Sequence, residues 1–90
     1  MSVEIELSSI FGRFTDNQLT FQVEGRTVGD CLKELFKQYP RLEKLLLNKE
    51  GRLQHAYDVY VNGESAYPKE MQKKVKDGDK LNLVFIIYGG

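Results

Sequence analysis

The sequence has few features that would allow a disulfide, a membrane anchor or a strong net charge. Its single cysteine, Cys31, excludes an internal disulfide. No apolar run approaches the roughly 20 residues that span a bilayer, and the N-terminus does not read as a secretory signal. Basic and acidic residues balance at 13 each, which argues against strong electrostatic binding to nucleic acid. We therefore expect a cytoplasmic protein with neither a membrane nor a nucleic-acid partner.

Ninety residues predict one small domain, over residues 1–90. Period-2 alternation predicts two strands that form a hairpin, with apolar positions at Val3, Ile5, Leu7, Leu19, Phe21 and Val23. The long connection between them carries Ile10, Phe11 and Phe14. These side chains are either buried or offered to a partner. We favour burial because exposed aromatic clusters are costly.

A helix is predicted to begin at Thr27, where Thr27 and Asp30 resemble a capping box with Asp in place of Glu. Its apolar face follows the i, i+3, i+4, i+7, i+8 spacing, at Val28, Cys31, Leu32, Leu35 and Phe36. Pro40 marks its end, since proline disfavours a helical residue before it. A short second helix is expected around Leu42, Leu45 and Leu46.

The C-terminal half predicts two further strands. Tyr57, Val59 and Val61 alternate before an Asn62-Gly63 turn, residues 67–76 look irregular, and Asp77-Gly78-Asp79 forms a second turn. The last strand alternates at Leu81, Leu83, Phe85 and Ile87. Apolar residues also occupy its other face near the end, which is typical of a central strand or of one that meets another protein.

This order predicts an α+β fold of the β-grasp type, with a mixed sheet of four to five strands, one main helix and a short second helix. The physical basis is one apolar helix face laid on one apolar sheet face. A ferredoxin-like α+β fold is the alternative. It requires a second full helix between the later strands, for which residues 67–76 are a poor candidate.

The order of elements, the Val59–Gly63 strand and turn, the Asp77-Gly78-Asp79 turn and the terminal Gly89-Gly90 together resemble the ubiquitin-like sulfur carriers. These include the small subunit of molybdopterin synthase and the thiamin-pathway carrier. The archaeal ubiquitin-like modifiers share the pattern. The chain departs from the molybdopterin carriers just before the diglycine. They usually have prolines and small residues there, whereas this chain has Phe85-Ile86-Ile87-Tyr88. The pathway therefore stays open.

The resemblance implies that the working group is the α-carboxylate of Gly90. A ubiquitin-activating-type (E1-like) adenylyltransferase activates it with ATP and magnesium, and it then becomes a thiocarboxylate for a sulfur-accepting synthase. The carrier itself binds no cofactor and no metal. Residues 88–90 are expected to form a flexible tail. Gly89 and Gly90 lack a Cβ, so the walls of a narrow channel can close on their backbone.

Docking is expected to use residues that flank the tail: Phe85, Ile87 and Tyr88. Phe85 and Ile87 also lie in register with Leu81 and Leu83, so core positions for both stay open. Tyr88 lies past the strand and is predicted to be a contact residue, since aromatic anchors often dominate interface energy.

Two other functions compete with the carrier. The first is a protein modifier joined through Gly90 to target lysines, and the second is a plain β-grasp binding module. An independent enzyme is the weakest candidate. Cys31 lies on the apolar helix stripe, His55 has no ligand cluster, and the acids show no catalytic pairing. A loose run of basic residues lies near the tail in the sequence, at Lys69, Lys73, Lys74, Lys76 and Lys80. We favour a solvated face for these lysines over a docking surface for an acidic partner.

Overall fold

The fold is built on a five-stranded mixed sheet. The computed structural model describes residues 2–86. The strands are β1 (Ser2–Leu7), β2 (Thr20–Glu24), β3 (Tyr57–Val61), β4 (Glu64–Ser65) and β5 (Lys80–Phe85). The α-helices are α1 (Val28–Gln38) and α2 (Pro40–Leu46). Two short 3₁₀ helices complete the described elements, the first at Ser9–Phe14 and the second at Glu70–Gln72.

The strand order is β2-β1-β5-β3-β4, so β5 is the central strand. It pairs in parallel with β1, from Glu4↔Lys80 to Leu7↔Leu83. It pairs antiparallel with β3, and that ladder ends at Tyr57↔Phe85. The predicted β1–β2 hairpin is present and antiparallel. The apolar residues on both faces of β5 are therefore explained first by its central position.

Helix α1 begins as its sequence predicts. The Thr27 hydroxyl accepts a hydrogen bond from the Asp30 backbone N–H at 3.1 Å. The Asp30 carboxylate accepts from the backbone N–H of Arg26, one residue earlier than in a standard capping box. All five predicted apolar positions of α1 are buried. Pro40 is the first residue of α2, so the chain turns into the second helix immediately after the first.

The long connection after β1 folds into the first 3₁₀ helix, and its three apolar residues have different environments. Phe11 is buried, as predicted, and Phe14 is partly buried. Ile10 is 52% exposed, so the prediction of burial is wrong at this position. A 3₁₀ helix has three residues per turn, which places Ile10 on a different face from the buried Phe11.

The core lies between the inner sheet face and the helices and includes Val3, Ile5, Val28, Cys31, Leu32, Leu35, Leu42, Leu46, Val59, Leu81 and Leu83. The predicted β-grasp fold is confirmed. Between β4 and β5 the structure has only the three-residue second 3₁₀ helix, so the second full helix of a ferredoxin-like fold is not formed. No helix within residues 2–86 is long and apolar enough to cross a membrane.

Candidate functional site

The site predicted from the sequence begins where β5 ends. The last described hydrogen bond of this strand runs from the Ile86 backbone N–H to the Ala56 carbonyl, at 2.7 Å. β5 has a strand on each side, but its last residues are paired on one side only. The ladder with β1 ends at Leu83, whereas the ladder with β3 continues to Phe85. The predicted site residues Ile87, Tyr88, Gly89 and Gly90, and with them the predicted tail 88–90, lie outside the described residues.

Phe85 is the predicted contact residue that the structure does describe. Leu81 and Leu83, which share its face of β5, are buried, whereas Phe85 is 43% exposed. Its ring packs against Tyr57 with centroids 5.8 Å apart, and Tyr57 packs against buried Phe11 at the same 5.8 Å. Phe85 therefore lies at the margin of the core, with one side packed and the other open.

The open side of Phe85 faces a shallow groove of about 530 Å³, lined by Ser9, Ile10, Phe11, Arg13, Phe14, Leu45, Tyr57 and Phe85. The sequence did not predict this surface, because it joins the first 3₁₀ helix, α2, β3 and β5. The one local signal was the crowding of apolar residues around Arg13 in the connection after β1. Leu45 and Tyr57 looked like ordinary core positions.

The start of β5 is fixed by two turns that interlock. The Asn62 amide donates to Asp79 Oδ1 at 2.9 Å and accepts from the Lys80 backbone N–H at 3.0 Å. Asp79 Oδ2 accepts from the Lys76 backbone N–H at 2.7 Å. These bonds set the register of β5, and with it the position from which the chain leaves the sheet.

The backbone of both turns explains their glycines. Asn62 and Gly63 have φ of 51° and 88°, and Gly78 has φ of 86°. This left-handed region favours glycine and tolerates asparagine. The hydrogen bond from Asn62 and then that from the Lys76 N–H lower the pKa of Asp79 below its ordinary value of 3.8.

Cys31 is fully buried, as predicted. Burial, followed by the nearby Asp30 carboxylate, raises the pKa of its thiol from 9.0 to about 11. The thiol is therefore protonated at neutral pH, and the thiolate needed for nucleophilic attack is scarce.

The remaining polar candidates are dispersed or structural. Asp58 is buried, but it accepts hydrogen bonds from the Ser65 hydroxyl and the Val59 N–H and so holds β4 to β3. His55 is exposed, and residues 2–86 contain no group of three or more His, Cys, Asp or Glu placed to hold a metal ion.

The predicted basic run is divided by the fold. Lys69, Lys73, Lys74 and Lys76 are exposed, in line with a solvated face. Lys80 instead lies on the sheet between Glu4 and Glu6, with its Nζ 3.6 Å from a carboxylate oxygen of each. The five lysines therefore do not act as one surface.

Comparison with known families gives a match over nearly the whole chain. The model of the ThiS family matches residues 7–90. A comparison with curated protein sequences finds no match.

Solved structures superpose on nearly the whole chain. The Amycolatopsis orientalis BexX/CysO complex contains a chain 25% identical to this one, with a TM-score of 0.87, covering 98% of this chain and 99% of that chain. SAMP1 from Haloferax volcanii is 29% identical, with a TM-score of 0.84 and complete coverage of both chains.

A third structure, the complex of subunits 1 and 2 of the molybdopterin-converting factor from Helicobacter pylori, gives a TM-score of 0.65. It is 17% identical over all of both chains and shows the fold alone.

Proposed function

The chain belongs to the ThiS family of ubiquitin-like carriers, and from this premise we propose that it is a sulfur carrier whose reactive group is the α-carboxylate of Gly90. The family match over residues 7–90 carries the proposal, because it includes the diglycine as well as the fold. The geometry supports it, since β5, the central strand of the sheet, is the last described element before the diglycine in the sequence.

The chemistry needs activation because a carboxylate anion is a poor electrophile. A Gly90 carboxylate oxygen attacks the α-phosphorus of ATP, which forms an acyl-adenylate and releases pyrophosphate. A hydrosulfide ion then attacks the acyl carbon, forms the C–S bond, expels AMP and leaves a thiocarboxylate after loss of one proton. An E1-like adenylyltransferase supplies the ATP and magnesium site, and the carrier supplies a terminus that enters that site.

The partners follow from the same proposal. CysO is crystallised with BexX, and subunit 1 of the molybdopterin-converting factor with subunit 2. By analogy, the present chain delivers its sulfur to a synthase that encloses the same terminus. The product of that synthase is a molybdenum or tungsten cofactor, thiamin or a sulfur amino acid. Ile87 and Tyr88 are proposed as contacts beside the diglycine, where aromatic anchors stabilise interfaces.

The test is the intact mass of the protein after incubation with ATP, magnesium, its adenylating partner and sulfide. We expect a gain equal to the replacement of one oxygen by sulfur in the wild type. We expect none after deletion of Gly90, with an unchanged thermal unfolding curve as the control for folding. A Gly90-deleted chain that still gains sulfur would disprove the role of Gly90. A wild-type chain that never gains it would favour a plain binding module.

A second candidate function is protein modification. The similarity to SAMP1, the small archaeal modifier protein 1 from Haloferax volcanii, favours it; a second structure of that protein is 28% identical. Both functions begin with the same acyl-adenylate. They differ in whether sulfur or a lysine amine takes the acyl group. Denaturing blots of host extracts distinguish them, because a ladder of heavier adducts that disappears with the Gly90 deletion would indicate isopeptide conjugation.

A further inference from the structure

The groove beside the end of β5 is lined by two exposed side chains that consist of hydrocarbon alone. Within residues 2–86, four large apolar or aromatic side chains are exposed, and two of them are tyrosines with a hydroxyl group. The other two, Ile10 and Phe85, are purely hydrocarbon, and both line this groove. Exposed hydrocarbon side chains that share one groove are a feature of interaction surfaces.

The groove is preformed. Its floor is Phe11, which is 1% exposed and packs on Tyr57. The first 3₁₀ helix is tied to the sheet by a hydrogen bond from the Ser8 N–H to the Leu83 carbonyl, at 3.1 Å. Just beyond it, the hydroxyl of fully buried Thr15 donates to the Gln18 carbonyl at 2.6 Å. A ligand that enters such a groove spends little free energy on ordering it.

The rim of the groove carries the positive charge of one arginine, and a second arginine lies nearby. Arg13 lines the groove, and the guanidinium of Arg41 lies 5.5 Å from the ring centroid of Phe14, another lining residue. No acidic side chain lines the groove, and neither arginine forms a salt bridge within the part of the chain that the structure describes. The charge complementary to this rim is a carboxylate.

This charge disfavours a second copy of the chain as the occupant. A symmetric dimer through the groove would present the same patch on both subunits, so both sides of the interface would carry Arg13 and Arg41 and no acidic lining residue. Like charges brought together at an interface oppose association.

We propose that the groove is the docking site for an apolar side chain flanked by a carboxylate on the enzyme that activates the C-terminus. This inference rests on the proposed carrier function. The last described hydrogen bond at the end of β5 is donated by the backbone N–H of Ile86, one residue beyond Phe85. Four more residues span only about 13 Å when extended. An enzyme that holds the carboxylate of Gly90 therefore lies close enough to the body of the domain to contact the groove.

The experiment measures ATP–pyrophosphate exchange by the purified adenylating enzyme as a function of carrier concentration. The variants Ile10→Ser and Arg13→Glu are expected to raise KM for the carrier about tenfold each, with little change in kcat. Matched controls outside the groove are Tyr67→Ser, which removes a 68% exposed ring, and Arg52→Glu, which reverses the same type of charge. Both controls are expected to keep the wild-type KM.

Arg13→Gln tests the carboxylate specifically. It should raise KM less than Arg13→Glu does, and it should weaken the dependence of KM on ionic strength, because an exposed charge pair is screened by salt. Unchanged KM values in the groove variants would overturn the proposal, as would equal increases in the control variants. A wild-type carrier that dimerises in solution and becomes monomeric with Ile10→Ser would identify a second copy as the occupant and would also overturn it.

The two proposals fail differently. If the wild-type chain supports no exchange at all, the carrier function fails before any variant is compared. If exchange occurs and stops on deletion of Gly90, activation at Gly90 stands, which the carrier and the modifier share, and the KM values alone test the role of the groove. The Gly90-deleted chain measures binding to the adenylating enzyme separately from the reaction, because it is expected to bind without being adenylated. It should inhibit exchange by competition, and the same chain carrying Ile10→Ser should compete about tenfold less well.

Discussion

At the scale of single residues, Asn62 and Asp79 show how two turns distant in sequence control one strand. The depressed pKa of Asp79 means that its hydrogen bonds favour the folded state when the carboxylate is ionised. That contribution is complete above the ordinary pKa of 3.8 and is lost as pH falls through the lower pKa of the folded state.

We therefore expect Asp79→Asn to lower the melting temperature by a few degrees at neutral pH. The difference from the wild type should shrink as pH falls below the ordinary pKa of 3.8. Thermal unfolding followed by circular dichroism from neutral pH to about pH 2 measures both effects. Glu50→Gln is the control, since this exposed carboxylate accepts no hydrogen bond within residues 2–86. A constant difference at all pH values would contradict the assignment to ionised Asp79.

At the scale of elements, α1 packs closely against the second 3₁₀ helix. A Cβ at Gly29 would lie 2.8 Å from the carbonyl oxygen of Met71. The obstacle is backbone, so it cannot rotate away as a side chain does. Glycine inside a helix normally costs about 1 kcal/mol relative to alanine, so its presence here is explained by packing.

Gly29→Ala is thus expected to destabilise the protein by about 1–3 kcal/mol. Helix propensity alone would predict the opposite, an increase in stability. Urea unfolding measures the change in the free energy of unfolding. Lys33→Ala, on the exposed side of the same helix, is expected to change it by less than about 0.5 kcal/mol. A more stable Gly29→Ala variant would show that the helix can move away from Met71 at little cost.

At the scale of the whole molecule, the two ends of the chain differ in importance. β1 lies between β2 and β5, and its residues Val3, Ile5 and Leu7 are buried in the core. The Ser2 N–H also donates to Asp77 Oδ1 at 2.7 Å, which ties the N-terminus to the turn before β5. Removal of β1 would separate β2 from the sheet and open the core.

Deletion of residues 1–7 is accordingly expected to abolish cooperative unfolding. The paired deletion of Gly89 and Gly90 should leave the transition unchanged. Two-dimensional NMR spectra and thermal melts of both truncated chains make the comparison. Dispersed amide signals from the chain without β1 would mean that the remaining strands form a sheet by themselves.

The sequence by itself determined the two α-helices, four of the five strands and their order, because their apolar periodicity is local. The α1 stripe from Val28 to Phe36 and the turns at Asn62-Gly63 and Asp77–Asp79 are visible within a few residues, and all are present in the structure. The same residues led to the β-grasp fold and to the family. Capping and turn chemistry depend on near neighbours, so they could be predicted without knowledge of packing.

Only the tertiary structure decided which apolar residues are exposed and which polar residues meet. Ile10 and Phe85 each fit a buried pattern locally, yet both line one open groove, because the first 3₁₀ helix and the end of β5 are brought together across the sheet. Arg13 and Arg41 likewise come from separate elements: Arg13 lines the groove, and Arg41 lies 5.5 Å from the ring centroid of Phe14, another lining residue. Burial depends on all the surfaces that surround a residue, and most of those surfaces come from distant parts of the chain.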